Sequence, residues 1–285
     1  MSGIISIDNG LLSLSVDTLG AEIKSLKKIG KEYIWSGDPA VWSGTAPILF
    51  PICGALKNDV ANYMGKCYSI PKHGFANESE FKLVDKSDNS ITLSIESNVE
   101  TLKFYPFEFI FSVRFVLDNE KLIITYTVDN KTDGNMYFSL GAHEGFALSG
   151  GVEGARVEFD KKDTLHTCFV TGPLLNGMSK KVTENENTII LRDEDFKVDA
   201  FIFKDIKSKR ISLYDKNGVK KITYIYDDFK NLLLWTKPGA EFLCVEPWNG
   251  MPDSIDSNCD FSKKEDIIEL KAGATASFTH MIIAE

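Results

Sequence analysis

The sequence lacks long hydrophobic runs, which argues against a membrane-spanning helix. No uninterrupted apolar stretch in its 285 residues approaches the roughly 20 residues needed to cross a bilayer. The first residues also lack the basic segment and apolar run of a signal peptide. We therefore expect a soluble protein located in the cytoplasm.

Cysteines are few and are not spaced for a structural role. The five cysteines form no C-x-x-C pair, and an odd number does not fit a complete disulfide framework. Zinc knuckles need closely spaced pairs of cysteines or histidines. The sequence therefore predicts neither disulfides nor a structural metal, and most of the cysteines are expected to be small buried residues.

A basic patch is missing as well. The formal net charge of -9 repels the phosphate groups of nucleic acids and of anionic lipids. We therefore expect no nucleic acid and no membrane among the partners of this protein.

Helical periodicity is almost absent, and the dominant pattern is an alternation of apolar and polar residues. Every odd position of residues 107–117 is apolar, which predicts a long strand with one buried face. Residues 122–128 repeat the pattern after Asp118-Asn119, so we predict an antiparallel hairpin, and a second one around Asn217-Gly218. Further strands are predicted over residues 11–16, 22–26, 91–95, 211–214, 222–226, 232–235, 242–245 and 277–283.

This number of short strands favours an all-β fold, a large antiparallel β-sandwich, because a parallel sheet would need crossover helices. With no internal repeat or linker, residues 1–285 are expected to form a single domain. One short helix is predicted over residues 99–104, ended by Pro106. Residues 172–198 are polar and weakly patterned, and we expect a long loop there.

Polar chemistry collects in three stretches that combine glycine, an ionisable side chain and aromatic neighbours, a mixture typical of small-ligand sites. In the first, His73 is by itself more typical of a hydrogen-bonded turn residue than of a catalyst. In the second, His143 is compatible with a strand end facing a cavity or with a core histidine. In the third, Glu246 ends an apolar strand, where an unpaired carboxylate is costly. Glu246 is the strongest single candidate.

Five motifs occur in a specific order along the chain. They read WSGDP at 35–39, APILFPICG at 46–54, HGFA at 73–76, GAH at 141–143 and EPW at 246–248. This order resembles the aldose 1-epimerase (galactose mutarotase) family, especially its LacX-like branch, over nearly the whole chain. The resemblance implies a β-sandwich of the galactose mutarotase-like type and an isomerase that interconverts the α and β anomers of an aldose.

The resemblance also implies residue roles. Glu246 corresponds to the general base, His143 to the general acid and His73 to a histidine that holds the sugar near its ring oxygen. Asp199 resembles the substrate-binding aspartate of the family. The alternative interpretation is that Asp199 is a solvated carboxylate in a loop. Neither a metal nor an organic cofactor is expected, because ring opening needs only proton transfers. The expected partner is a small-molecule aldose, and a homodimer is left open.

Aromatic side chains are expected to form the walls of a sugar site by packing against C–H bonds. The candidates are Trp35, Phe75, Phe146 and Trp248, each of which is equally compatible with the core.

Two positions depart from the family pattern. Ala55 stands where LacX-like relatives usually have arginine, so Lys57 is considered as a partial substitute for a sugar-binding cation. Glu144-Gly145 follows His143 where the family usually has Pro-Ala. A carboxylate at that position is expected to raise the pKa of His143.

Three other functions remain as alternatives. Two histidines and a carboxylate also form the facial triad of non-haem iron proteins, although no H-x-D/E or H-x-x-x-H spacing supports it. A carbohydrate-binding protein that has lost turnover would keep the same pocket. A hexose-phosphate mutarotase would need a cationic cluster, but none of the four arginines lies in the motifs.

Overall fold

The computed structural model describes residues 3–285 and consists almost entirely of strands, as predicted. In chain order the strands are β1 (Ile4–Asp8), β2 (Leu12–Asp17), β3 (Glu22–Lys28), β4 (Lys31–Glu32), β5 (Val60–Tyr63), β6 (Lys66–Ser69), β7 (Lys82–Lys86), β8 (Ser90–Glu96), β9 (Phe109–Asp118), β10 (Lys121–Asn130), β11 (Met136–Phe138), β12 (Leu140–Gly141), β13 (Glu144–Ala147), β14 (Arg156–Asp163), β15 (His166–Thr171), β16 (Leu174–Lys181), β17 (Glu186–Ile190), β18 (Phe201–Phe203), β19 (Arg210–Tyr214), β20 (Lys220–Ile225), β21 (Asn231–Trp235), β22 (Phe242–Asn249), β23 (Ile268–Leu270) and β24 (Thr275–Ala284).

Helical structure in the described residues is limited to single 3₁₀ turns. They cover Lys57–Asp59, Ala76–Glu78, Thr101–Lys103, Asp193–Phe196 and Phe261–Lys263. The helix predicted over residues 99–104 is thus reduced to one turn. None of these turns is long enough to cross a membrane.

Two large antiparallel sheets organise the chain. The larger has nine strands in the order β17-β14-β19-β20-β24-β10-β9-β8-β7. The smaller has seven, because β13 joins the path β12-β22-β21-β18-β15-β16 by pairing with β22. A four-stranded sheet, β1-β2-β3-β4, and the ribbons β5-β6 and β11-β23 complete the arrangement. The predicted antiparallel β-sandwich is confirmed.

Alternation along the strands builds the core between the two large sheets. On β9, Phe111 and Val113 are buried while Arg114 is exposed. On β22, Leu243 and Val245 join the hydrophobic cluster that also contains the inward residues of β9. Alternate residues of β22 therefore project from the opposite, outer face of the seven-stranded sheet, and this face carries the functional candidates.

Both predicted hairpins are present. Strands β9 and β10 pair from Asp118↔Lys121 onward, with Asn119 in the left-handed conformation that a tight turn requires. Strands β19 and β20 pair around Gly218.

The long loop predicted over residues 172–198 is wrong, because β16, β17 and a 3₁₀ turn occupy this segment. Both strands lie at sheet edges. The outer half of β16 is exposed, so it needs no apolar alternation, and backbone hydrogen bonds to one neighbour are enough to hold it.

The strand predicted over residues 242–245 is too short, because β22 continues to Asn249 and Glu246 lies inside it. Glu246 interrupts the apolar pattern but not the strand, since its carboxylate faces a cavity. Pro247 lacks an N–H, yet its carbonyl still accepts the N–H of Ala142.

We expect Gly74→Ala to lower the free energy of unfolding by at least about 3 kcal/mol, measured by urea denaturation. Gly74 has φ 79°, and an added Cβ would lie 2.1 Å from the Phe50 carbonyl oxygen. Gly239 is a matched control, with the same φ of 79° but no atom within 4 Å of an added Cβ. Gly239→Ala is expected to cost only about 1–2 kcal/mol, and equal losses would contradict the close approach at Gly74.

Candidate functional site

A cavity of about 500 Å³ opens on the outer face of the seven-stranded sheet. Its ionisable and amide side chains are Glu22, Lys72, His73, Asn77, His143, Asp199 and Glu246. A larger cavity of about 720 Å³ adjoins it and shares Asp199, but contains neither histidine nor Glu246. We therefore assign the chemistry to the smaller cavity.

Strand pairing and one turn bring the three predicted catalytic residues together. His143 lies between β12 and β13, which both pair with β22, the strand that carries Glu246. His73 reaches the cavity from a turn in which it has φ 68°. The backbone N–H groups of Phe75 and Ala76 anchor this turn by donating to the Phe50 carbonyl.

His143 and Glu246 are in direct contact, with their Nε2 and Oε2 atoms 3.3 Å apart. The His73 ring lies 5.9 Å from the His143 ring and perpendicular to it. Trp248 contacts His73 with ring centroids 5.6 Å apart. Residues distant in the sequence thus form one cluster inside the cavity.

Burial controls the protonation of the His143–Glu246 pair. It lowers the pKa of His143 to about 4 and raises the pKa of Glu246 well above its usual value, although the Lys72 ammonium partly opposes the second shift. Both shifts favour neutral groups. With both groups neutral the pair carries a single proton, on Glu246, and two ionisable groups in contact titrate as a unit.

His73 is arranged as a hydrogen-bond donor. Its Nδ1 accepts the backbone N–H of Gly54 at 3.2 Å, so in the neutral ring the hydrogen sits on Nε2. Burial, followed by the charges of His143 and Lys72, lowers the pKa of His73 and keeps the ring neutral. The Nε2 hydrogen is thereby left for a ligand in the cavity.

Glu144 adjoins His143 in the sequence but does not line the cavity. Its carboxylate points into the core, where Oε2 accepts the Tyr224 hydroxyl at 2.7 Å and Oε1 lies 3.0 Å from Nε2 of His280. The charge of Glu144 does raise the pKa of His143, but burial has the larger effect. The predicted direction of the Glu144 effect is thus confirmed, although burial lowers the pKa of His143 overall.

Lys57 is not a site residue, contrary to the prediction. Its Nζ donates to the Ser257 carbonyl at 3.0 Å, and it is not among the residues that line the cavity. Lys72 is the cavity lysine instead. Lys72 directly precedes His73 in the sequence, and this position could have predicted that it lies in the cavity.

The aromatic predictions are only partly correct. Trp248 lines the cavity. Trp35 packs on Phe242 at 4.8 Å instead, while Phe75 and Phe146 are buried in the main hydrophobic cluster. Phe75 and Phe146 therefore belong to the core, whereas Trp35 is partly buried beside a small separate cluster.

Two other tryptophans flank the His143–Glu246 pair and were not predicted. Trp42 and Trp235 lie 5.3 Å and 5.9 Å from the His143 ring, measured between centroids. Glu22 was missed as well, and its Oε1 accepts the N–H groups of Thr45 and Ala46. Glu22 thereby holds the loop that forms one rim of the cavity.

Comparison with known proteins shows the family of the chain. The sequence pattern of the aldose 1-epimerase family matches residues 3–275. The chain belongs to the aldose 1-epimerase family. Within it, the chromosomally encoded protein LacX of Lactococcus lactis subsp. lactis is 34% identical over 268 residues, which cover 88% of this chain and 89% of LacX.

Solved structures show the same fold. A galactose mutarotase related enzyme from Lactobacillus acidophilus superimposes with a TM-score of 0.92 at 29% identity, covering 99% of this chain and 97% of its own. A galactose mutarotase-like protein from Lactobacillus casei gives 0.93 at 29% identity, covering 99% and 100%. The galactose mutarotase-like β-sandwich is thus shared over the full described length.

We expect Glu144→Ala to lower the free energy of unfolding by about 3–5 kcal/mol, because it leaves buried His280 and Tyr224 without their partner. Glu144→Gln keeps a hydrogen-bonding side chain of the same shape, and its loss is expected to be about 1–2 kcal/mol. Urea denaturation followed by tryptophan fluorescence measures both values. A loss below about 1 kcal/mol for Glu144→Ala would contradict a structural role for the carboxylate.

Proposed function

We propose that this protein is an aldose 1-epimerase that interconverts the α and β anomers of a free aldose. The observation that carries the proposal is the 3.3 Å contact between His143 Nε2 and Glu246 Oε2 inside the cavity. A base and an acid at this separation fit the two reacting oxygens of a hemiacetal, which are bonded to the same carbon.

Each step of the reaction balances with these two groups. Glu246 removes the proton of the C1 hydroxyl while His143 delivers a proton to the ring oxygen, so the C1–ring oxygen bond breaks and an aldehyde forms. Rotation about C1–C2 exposes the other face of the aldehyde. Reclosure reverses both proton transfers, and the pair returns to its starting protonation state.

The shared proton suits this mechanism. Glu246 must be ionised and His143 protonated to act as base and acid, and this form contains the same single proton as the neutral form. Sugar hydroxyls and the Lys72 ammonium favour the carboxylate, so proton transfer to His143 on substrate binding needs no proton from solvent.

The other cavity residues are assigned to binding. His73 donates its Nε2 hydrogen near the ring oxygen, and Trp248 covers an apolar face of the sugar. Asp199 accepts from a sugar hydroxyl. The charge of Asp199 also contributes to the raised pKa of Glu246, which supports a position close to the reacting end.

We expect Glu246→Gln and His143→Asn each to reduce catalysed anomer exchange about a hundred- to ten-thousand-fold, because each removes one proton-transfer group. Polarimetry and NMR on a panel of aldoses measure the rate. Glu241→Gln and His166→Asn are matched controls, since both residues are exposed and outside the cavity. Unchanged rates in either site variant would refute the assigned roles.

We expect Lys72→Met to move the acidic limb of the kcat/KM profile to higher pH, by an amount limited because solvent screens this exposed charge. Lys72 lowers the pKa of Glu246, His143 and His73, so its removal raises all three and the groups stay protonated to higher pH. Lys57→Met is the control and is expected to leave the profile unchanged. A shift to lower pH, or equal shifts in both variants, would contradict this role of Lys72.

A further inference from the structure

A cysteine lies directly against the catalytic pair. Cys244 precedes Glu246 by two residues on β22, so both side chains project from the same face of the strand. One donor atom from each of His143, Cys244 and Glu246 lies within 4.8 Å of the other two. Cys244 is fully buried, and the acid–base chemistry proposed above does not use it.

The separations between these donor atoms are close to those of a tetrahedral metal site. Zinc bonds of about 2.0–2.3 Å to nitrogen, oxygen and sulfur place neighbouring ligand atoms roughly 3.3–3.8 Å apart. The His143–Glu246 distance of 3.3 Å already matches this range. The other two separations are at most 4.8 Å, so each exceeds this range by no more than about 1 Å.

The charges of the three ligands select the kind of ion. A thiolate and a carboxylate together carry two negative charges, which a divalent cation neutralises inside a buried site. Mg²⁺ and Ca²⁺ prefer six or more oxygen ligands, whereas an imidazole, a thiolate and a carboxylate suit Zn²⁺ and Co²⁺. This set differs from the iron facial triad, because Cys244 takes the place of a second histidine.

We propose that His143, Cys244 and Glu246 form a binding site for a thiophilic divalent cation such as Zn²⁺, which competes with the sugar for the cavity. Binding releases two protons to solvent, the thiol proton of Cys244 and the single proton of the His143–Glu246 pair, and leaves a fourth coordination position that faces the cavity and takes water. The ion occupies both proton-transfer groups and therefore inhibits anomer exchange. The inhibition rests on the proposed function, whereas ion binding itself does not.

Cobalt titration of the metal-free protein tests the site without any need for turnover. We expect wild-type protein to bind one Co²⁺ with a thiolate-to-cobalt charge-transfer band in the near ultraviolet, and Mg²⁺ not to displace it. Cys244→Ser is expected to lose the band. Cys53→Ser is the matched control, because Cys53 is also fully buried but is not part of the cluster, and it is expected to keep the band.

Absence of the band in folded wild-type protein, or its persistence in Cys244→Ser, would overturn the site. If circular dichroism shows that Cys244→Ser does not fold, Glu246→Gln replaces it and is expected to bind Co²⁺ at least tenfold more weakly. Affinity equal to that of wild type in Glu246→Gln would then overturn the site.

Inhibition by Zn²⁺ tests the regulatory consequence. We expect Zn²⁺ to raise the apparent KM of wild-type protein for its aldose, and the inhibition constant to increase at least tenfold in Cys244→Ser. Equal inhibition constants in the two proteins would overturn competition at this site. A wild-type protein that binds Co²⁺ but shows no anomer exchange would refute the proposed function and support the metal site.

Discussion

The site depends on how β22 is paired. This strand lies between β21 on one side and the short strands β12 and β13 on the other, and His143 occupies the gap between those two short strands. A continuous strand would have used the backbone around His143 for regular pairing. The interruption instead turns an imidazole toward the carboxylate of Glu246, and Trp42 and Trp235 flank this imidazole.

Two histidine–carboxylate contacts lie near each other, on opposite faces of the same sheet. The inner one, between His280 and Glu144, is completed by the Tyr224 hydroxyl and is sealed in the core. The outer one, between His143 and Glu246, opens into a cavity. The same pair of functional groups thus serves stability where it is closed, and is available for chemistry where a ligand can enter.

Sequence reasoning succeeded where local pattern decides structure. The alternation in β9 and β10 follows from burial of one face, and the motifs around His73, His143 and Glu246 pointed to residues that do meet. It failed where contacts between distant segments decide the structure. Strands β16 and β17 were missed because edge strands carry a weak apolar pattern. Trp42 and Trp235 were missed because they reach His143 only through the packing of separate segments. The sequence correctly predicted that Glu144 raises the pKa of His143, but it did not show the burial of His143, which depends on distant segments and lowers the pKa overall.

Exposed sheet edges carry charge in this protein. Strand β7 ends the nine-stranded sheet, is exposed along its whole length and contains Lys82, Asp85 and Lys86. Strand β16 ends the seven-stranded sheet with Lys180 and Lys181. A second chain that extended either sheet would have to bury these charges. The polar composition that hid β16 from the sequence pattern therefore also protects the folded protein against edge-to-edge aggregation.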